Sequence, residues 1–201
     1  MTFRMSTKLL RTRTALSALT ALTALPICPC ARLTAQDKPL RAVLMGEPRP
    51  GQDAPDFSAP YLTAAGPGPA DQPFHLQSEL GRRVALLFAG SVTQEAEARA
   101  WDALVTVRDS LFPPGTVVVG VTPDAAGPLQ TFVAARSLPF KFLPDPKGEI
   151  RRRYGVDRGT LQHAWTVYLV TDEGRVSYRS GGFRMEDPEE VGRLRGQLAK
   201  R

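Results

Sequence analysis

Residues 84–121, which read VALLFAGSVTQEAEARAWDALVTVRDSLFPPGTVVVGV, decide the fold of this chain. The stretch begins with five consecutive apolar residues, Val84–Phe88, and ends with a second apolar run, Val117–Val121. Short uninterrupted apolar runs are typical of strands that are buried on both faces. Between the two runs, apolar residues recur at helical spacing until Pro113 interrupts them. The sequence therefore predicts a strand–helix–strand unit.

The predicted helix of this unit begins after Ser91, which is followed by Gln94 three residues later. This spacing is typical of a capping box. The apolar residues at helical spacing are Ala96, Ala100, Ala103, Leu104, Val107 and Leu111. We expect this face of the helix to cover the sheet.

Further strands and helices are predicted on both sides of the unit. Two short strands, Asp56–Leu62 and Phe74–Leu76, precede it, and the loop between them is predicted to be a solvated insertion. The predicted elements after the unit are a helix through Leu129, Phe132 and Val133, a helical turn at Glu149–Tyr154, a hairpin of Thr166–Val170 with Val176–Tyr178, and an amphipathic helix from Asp187. This order is that of an α/β protein with a thioredoxin-like fold, in which helices flank a central mixed β-sheet on both faces.

The positive charge of the chain is concentrated at its start. The 201 residues carry 26 basic and 20 acidic side chains, for a net charge of +6. Five of the basic residues and none of the acidic ones lie in residues 1–35, which leaves 21 basic against 20 acidic side chains in the remainder. The folded part therefore has no charge pattern that favours nucleic acid as a partner.

Residues 1–35 are predicted to be a signal peptide. A basic start through Arg13 is followed by the apolar stretch Thr14–Pro26 and by small residues that end at Ala35. The apolar stretch is shorter than the about 20 residues that a membrane-spanning helix needs. We expect export to the periplasm or cell envelope, with membrane contact only through this segment if it stays uncleaved. Residues 36–50 are predicted to be a linker, and residues 51–201 the folded domain.

The only two cysteines, Cys28 and Cys30, lie before the predicted cleavage site. Cleavage after Ala35 would leave a mature chain without any thiol. The alternative is that Cys28 carries a lipid anchor. Lipoprotein signals place small residues before that cysteine, whereas Pro26 and Ile27 stand here, and ordinary cleavage is therefore favoured.

Several segments, taken as an ordered set, point to one family. They are GQDAPDFSAP at 51–60, Phe74–Gly81, Arg83–Phe88, LPDPKGEIRRRYGV at 143–156, and Val167–Gly174. This set resembles the peroxiredoxins of the alkyl hydroperoxide reductase and thiol-specific antioxidant type, over about 150 residues. The resemblance implies the thioredoxin fold that the element order also indicates, and it implies the thiol peroxidase activity of the family.

The resemblance also implies where a peroxidatic cysteine would lie. The family places it at the first turn of a helix, after Pro-x-x-x-Thr-x-x-Cys, and an arginine on a neighbouring strand stabilises the thiolate. With one loop residue treated as deleted, Gly90 stands for the proline, Thr93 for the threonine, Ala96 for the cysteine and Trp165 for the arginine. Without the deletion, Glu97 takes the cysteine position. Because no cysteine follows Cys30, a thiol peroxidase mechanism is excluded for the mature chain, and no catalytic residue is predicted.

No other group of residues predicts a catalytic or metal site. His75 and His163 are the only histidines, and we interpret both as structural or surface residues. We expect no metal and no cofactor. Successive helical residues point about 100° apart, so Arg151–Arg153 cannot converge into an anion clamp and are predicted to lie on a solvated helix face. Asp145 is predicted to lie in a turn.

Two hypotheses of function remain. In the first, the protein is a non-catalytic member of the family that binds an unknown protein or small molecule in a cleft bounded by Phe88, Thr93 and Trp165. The helix N-terminus there would favour an anionic or carbonyl group on a ligand that is otherwise apolar; alternatively, Trp165 only fills the cleft. In the second, an atypical antioxidant or thiol–disulfide oxidoreductase uses Cys28 and Cys30 of the leader or the thiol of a partner.

Overall fold

A computed structural model describes residues 46–156 and 164–200 of the chain. The chain divides into two units after Pro39, and the described residues belong to the second, Leu40–Arg201. The predicted signal peptide, both cysteines, the predicted cleavage site and His163 lie outside the described residues. Within those residues, no helix combines the length and apolar character needed to span a membrane.

The described strands form one large and one small sheet. They are β1 (Ser58–Ala59), β2 (Leu62–Thr63), β3 (Gly66–Pro67), β4 (Phe74–His75), β5 (Val84–Phe88), β6 (Val117–Thr122), β7 (Lys141–Pro144), β8 (Trp165–Val170) and β9 (Val176–Phe183). The large sheet has the order β3-β2-β7-β6-β5-β8-β9, and β1 pairs with β4 in the small one. Strands β5, β6 and β7 are parallel, whereas β8 runs antiparallel to β5. This mixed sheet confirms the predicted fold class.

Helices cover both faces of the large sheet. They are α1 (Glu95–Leu111), α2 (Ala126–Ala135), α3 (Glu149–Arg153) and α4 (Pro188–Leu198). Because side chains alternate along a strand, Leu87 of β5 joins the core beneath α1, α2 and α4, and Phe88 joins the core on the α3 side. We call these the tryptophan face, which contains Trp101 and Trp165, and the tyrosine face, which contains Tyr154 and Tyr168.

Two strand predictions need correction. The predicted strand Asp56–Leu62 is divided at Pro60 into β1 and β2, which belong to different sheets. Proline has no N–H group for a strand ladder, which explains the interruption. Strand β7 was not predicted. It has only two fully buried apolar residues, Phe142 and Leu143, and such a short run shows no periodicity.

The predicted start of α1 was also wrong. The helix begins at Glu95 after Gln94, which makes no side-chain capping bond. The Ser91 hydroxyl lies in the turn before the helix, where it donates to the Asp124 carboxylate at 2.6 Å and accepts from the backbone N–H of Thr93 at 3.3 Å. The buried face of the helix includes Glu97 and Trp101, while Ala96 and Ala103, which were expected on it, are exposed.

The prediction that Arg151–Arg153 lie on a solvated helix face is confirmed only in part. Arg151 is 2% exposed, and its Nε lies 3.3 Å from Oδ2 of Asp145, which is also buried. Asp145 in turn accepts from the backbone N–H groups of Ile150 and Arg151. Arg152 and Arg153 remain exposed, as expected. The buried ion pair therefore anchors α3 to the loop that precedes it.

The described end of the predicted linker packs on the domain. Pro48 is buried, and Glu47 forms an ion pair with Arg179 of β9. The backbone of Gly155 has φ +62°, and a Cβ there would lie 2.9 Å from the Cα of Glu47. Glycine at position 155 therefore permits both the left-handed turn after α3 and the close passage of this segment.

Candidate functional site

The carboxyl ends of the parallel strands β5 and β6 define the region of interest. The loop after β5 leads into the N-terminus of α1, and Asp124 follows β6. The Asp124 carboxylate accepts from the Ser91 hydroxyl and, at 2.9 Å, from the backbone N–H of Val92. The Ser91 and Thr93 hydroxyl oxygens lie 2.7 Å apart. This network fixes the loop and thereby the position of the first turn of α1.

The first turn of α1 places two consecutive residues in different environments. Ala96, which the resemblance puts at the cysteine position, is exposed, whereas the side chain of Glu97 turns inward and is only 6% exposed. Trp165 of β8 donates its indole Nε1–H to Oε2 of Glu97 at 2.7 Å. The site therefore contains a buried carboxyl group next to the position of the missing thiol.

Burial raises the pKa of Glu97 above its ordinary value of 4.5. Hydrogen bonds from the Trp165 indole and from the Gly90 backbone oppose this rise in pKa, because they stabilise the carboxylate. The negative charges of Glu186 and Asp124 raise the pKa further. Desolvation is the largest of these effects, and Glu97 thus holds its proton to a higher pH than an exposed glutamate.

A surface cavity of about 310 Å³ opens beside these residues. Helix α1 contributes Ala96, Glu97 and Ala100 to its wall. The opposite wall comes from Ala164, Trp165 and the segment from the end of β9 to α4, and it consists of Phe183, Arg184, Met185 and Glu186. Such a volume lies at the lower end of the roughly 300–1,000 Å³ range of small-molecule sites.

The predicted cleft is not formed by the three residues named for it. Phe88 is fully buried on the tyrosine face, where its ring contacts Tyr154 and Tyr168. Trp165 points to the tryptophan face, because Phe88 is paired with its neighbour Thr166 across the two strands. Thr93 is exposed but does not line the cavity. The structure instead brings Trp165 together with Ala96 and Glu97.

Glu97 is the residue that sequence reasoning undervalued. It appeared only as an alternative register for the missing cysteine. Its spacing to Trp101 and Leu104, at four and seven residues, places it on the buried face of α1. This helical spacing is the sequence signal that predicts a buried position for Glu97.

The other described cavities lie at the opposite end of the sheet. One of about 440 Å³ is lined by Arg83, Pro113 and Leu198, and two smaller ones both include Val84 and Val170. Val84 is the first residue of β5, whereas α1 follows its last residue. These cavities are therefore remote from Ala96 and Glu97.

His75 takes no part in the site. Its Nε2 lies 3.2 Å from the Ser58 hydroxyl on the small sheet, and its side chain is exposed. This surface position agrees with the interpretation of His75 made from the sequence.

Comparisons with known proteins identify the family and support the fold. Residues 50–179 match the AhpC/TSA family. No match was found among curated proteins. A protein from Chlorobium tepidum assigned as the thiol:disulfide interchange protein DsbE is 25% identical, with a TM-score of 0.59 over 76% of this chain and 96% of that one.

Two further solved structures share the fold. Peroxidoxin BcpB from Mycobacterium tuberculosis is 19% identical, with a TM-score of 0.61 over 76% of this chain and 97% of that one. The reduced 2-Cys peroxiredoxin of Plasmodium vivax is 17% identical, with a TM-score of 0.59 over 73% and 94% of the two chains. At these identities the likeness concerns the fold alone.

Proposed function

We propose that this chain, which belongs to the AhpC/TSA family, is a non-catalytic member that acts in the cell envelope by binding a small molecule or a protein segment. The binding site in this proposal is the cavity beside the N-terminus of α1.

The observation that carries the proposal is the residue at the expected thiol position. Ala96 stands there, exposed in the first turn of α1 and at the wall of the cavity. A methyl group has no lone pair with which to attack a peroxide oxygen, and no cysteine follows Cys30 in the sequence. The position is accessible, yet it has no group that could form a sulfenic acid.

The surroundings of Ala96 also differ from those that activate a thiolate. The resemblance implies an arginine where Trp165 stands, and the Trp165 indole is engaged by the Glu97 carboxyl. Thiolates are stabilised by nearby positive charge, whereas Glu97 contributes an acidic group. These features support a role in binding rather than in peroxide reduction.

The cavity itself supports the binding role. Trp165 lines the cavity, although it is only 3% exposed and packs against Trp101 with ring centroids 4.5 Å apart. A cavity of about 310 Å³ remains beside it. The indole therefore does not fill the whole space next to Ala96.

Location in the envelope rests on the N-terminal segment. The cationic start, the short apolar stretch and the small residues before Gln36 are typical of a signal peptide.

The absence of catalysis is tested with the full chain and with a Cys28→Ser/Cys30→Ser variant. We expect that neither consumes hydrogen peroxide or an organic hydroperoxide faster than buffer when a thiol donor is present. Peroxide loss that is proportional to full-chain concentration and disappears in the variant would instead support the oxidoreductase that uses the leader cysteines.

The binding role is tested by a screen of chemically diverse small fragments, followed by NMR. We expect hits whose chemical-shift changes centre on Ala96, Ala100 and Met185. Hits confined to the surface around Arg83 and Pro113, or no hit at all, would contradict the proposed site.

A further inference from the structure

We infer that the cavity beside Ala96 selects a ligand with an apolar body and a cationic end, such as a primary ammonium group, which Glu97 accepts, and that it disfavours carboxylates. This inference rests on the proposed function, because it names the ligand class of the same cavity. A cationic ligand is the opposite of the anionic or carbonyl group that the sequence analysis expected at the helix N-terminus.

The hydrogen-bonding capacity of Glu97 is the first step of the argument. Glu97 lines the cavity, and its carboxyl group accepts from the Trp165 indole and from the backbone of Gly90. A carboxylate offers about four acceptor positions on its two oxygens. Glu97 can therefore accept further hydrogen bonds, and an ammonium group carries three donors.

The charges around Glu97 favour a cation. Glu186 contributes a second carboxylate at the cavity wall, and Asp124 lies close enough to raise the pKa of Glu97. The basic side chain at the wall, Arg184, is exposed like Glu186, and it forms no ion pair with Glu97 within the described residues. Three carboxyl groups and one arginine give this region a negative balance, which repels a carboxylate ligand.

Glu97 also changes what the helix N-terminus can do. Free N–H groups in the first turn of a helix favour anions. Here Glu97, an acidic residue of that same turn, lines the cavity. An incoming anion would have to approach this carboxyl group in a partly desolvated site, where like charges repel more strongly than in water.

The rest of the wall suits an apolar body. Ala96 and Ala100 are one helical turn apart on α1, and their methyl groups leave space opposite Trp165 and Phe183. Met185 adds a buried thioether side chain that adapts to different shapes. An aryl group on a short alkyl chain fits a cavity of about 310 Å³.

The binding of a cation should couple to the titration of Glu97. Burial raises the pKa of this carboxyl, and a bound ammonium group favours its ionised form. Binding therefore releases a proton, and the affinity increases as the pH rises through the raised pKa of Glu97. Glu186, Asp124 and Arg184 are the other charged groups that act on this region.

The test compares three probes of similar shape: 2-phenylethylammonium, 2-phenylethanol and 3-phenylpropionate. The full chain carries Trp101→Phe, so that Trp165 is the only tryptophan and its fluorescence reports the cavity. We expect the ammonium probe to bind about tenfold more tightly than the carboxylate, and Glu97→Gln to remove about tenfold of its affinity. Glu95→Gln is the matched control, because Glu95 lies in the same helical turn but is exposed and paired with Arg99.

The outcomes separate this inference from the proposed function. Equal or tighter binding of the alcohol or the carboxylate overturns the cationic selectivity and leaves the cavity as a binding site. The cationic selectivity is likewise overturned if Glu97→Gln and Glu95→Gln behave alike. Failure of all three probes also overturns the inference, whereas the proposed site fails only if the fragment screen finds no ligand there. Because the three probes are compared on a chain that keeps Glu97, this comparison tests the inference whether or not Glu97→Gln folds.

Discussion

Replacing Trp165 with phenylalanine should destabilise the domain more than the same replacement at Trp101. The two indoles pack against each other on the tryptophan face, and both are almost fully buried. They differ in their polar atom. The Trp165 N–H donates to Glu97, whereas the Trp101 N–H has no hydrogen-bond acceptor among the described residues. Comparing the two substitutions therefore isolates the contribution of one buried hydrogen bond to the free energy of unfolding.

The magnitude follows from two contributions. Each substitution removes on the order of 50 Å² of buried apolar surface, which corresponds to about 1 kcal/mol. Trp165→Phe also deprives a buried carboxyl oxygen of its donor, at a cost of about 1–3 kcal/mol. Trp101→Phe instead removes a buried donor that lacks an acceptor, which offsets part of its packing loss. We expect a total of about 2–4 kcal/mol for Trp165→Phe and less than about 1 kcal/mol for Trp101→Phe.

Urea unfolding followed by far-UV circular dichroism measures both free energies. A double-mutant cycle of Trp165→Phe with Glu97→Leu should give a coupling of about 1–3 kcal/mol, because Glu97→Leu removes the acceptor. Glu97→Gln keeps a carbonyl oxygen for the indole and should preserve much of the coupling. The reasoning is refuted if Trp165→Phe is no more destabilising than Trp101→Phe, or if the coupling with Glu97→Leu is below about 0.5 kcal/mol.

Arg151→Met should lower the free energy of unfolding in urea by about 3–5 kcal/mol, because it leaves the buried Asp145 carboxylate without its ion pair. The control, Arg152→Met, replaces an exposed neighbour and should change stability little. Equal effects of the two substitutions would contradict the burial of the ion pair. The pKa of Glu97 is raised in the folded state, so its favourable contribution is complete below the unfolded value of 4.5 and is lost as the pH rises through the folded pKa. The thermal stability of the native chain should therefore fall relative to Glu97→Gln over that rise, and parallel curves would show that Glu97 titrates normally. Intact mass of the protein from fractionated cells should give an N-terminus near Gln36, whereas a cytoplasmic species that begins at Met1 would contradict export.

The sequence by itself determined the central strand–helix–strand unit and the fold class. Val84–Phe88 was predicted with its observed bounds, and Val117–Val121 within one residue, because strands buried on both faces require uninterrupted apolar runs. The start of α4 was equally clear, since Asp187 accepts from the backbone N–H groups of Glu189 and Glu190, as its position before Pro188 indicated. These signals are local and need no knowledge of distant contacts. The absence of a cysteine after Cys30 was likewise readable without a structure.

Only the tertiary structure decided the composition of the candidate site. The face to which Phe88 and Trp165 point depends on the register between β5 and β8, which joins residues about 80 positions apart. The turn before α1 is held by Asp124, a residue of another loop that accepts from the Ser91 hydroxyl and from the backbone N–H of Val92. The spacing of Glu97 to Trp101 places it on the buried face of α1, but its hydrogen-bond donor, Trp165, comes from a strand 68 residues further along the chain. Long-range packing and hydrogen bonding overrode the local pattern at these points, because a buried polar group is stable only where the fold supplies its partners.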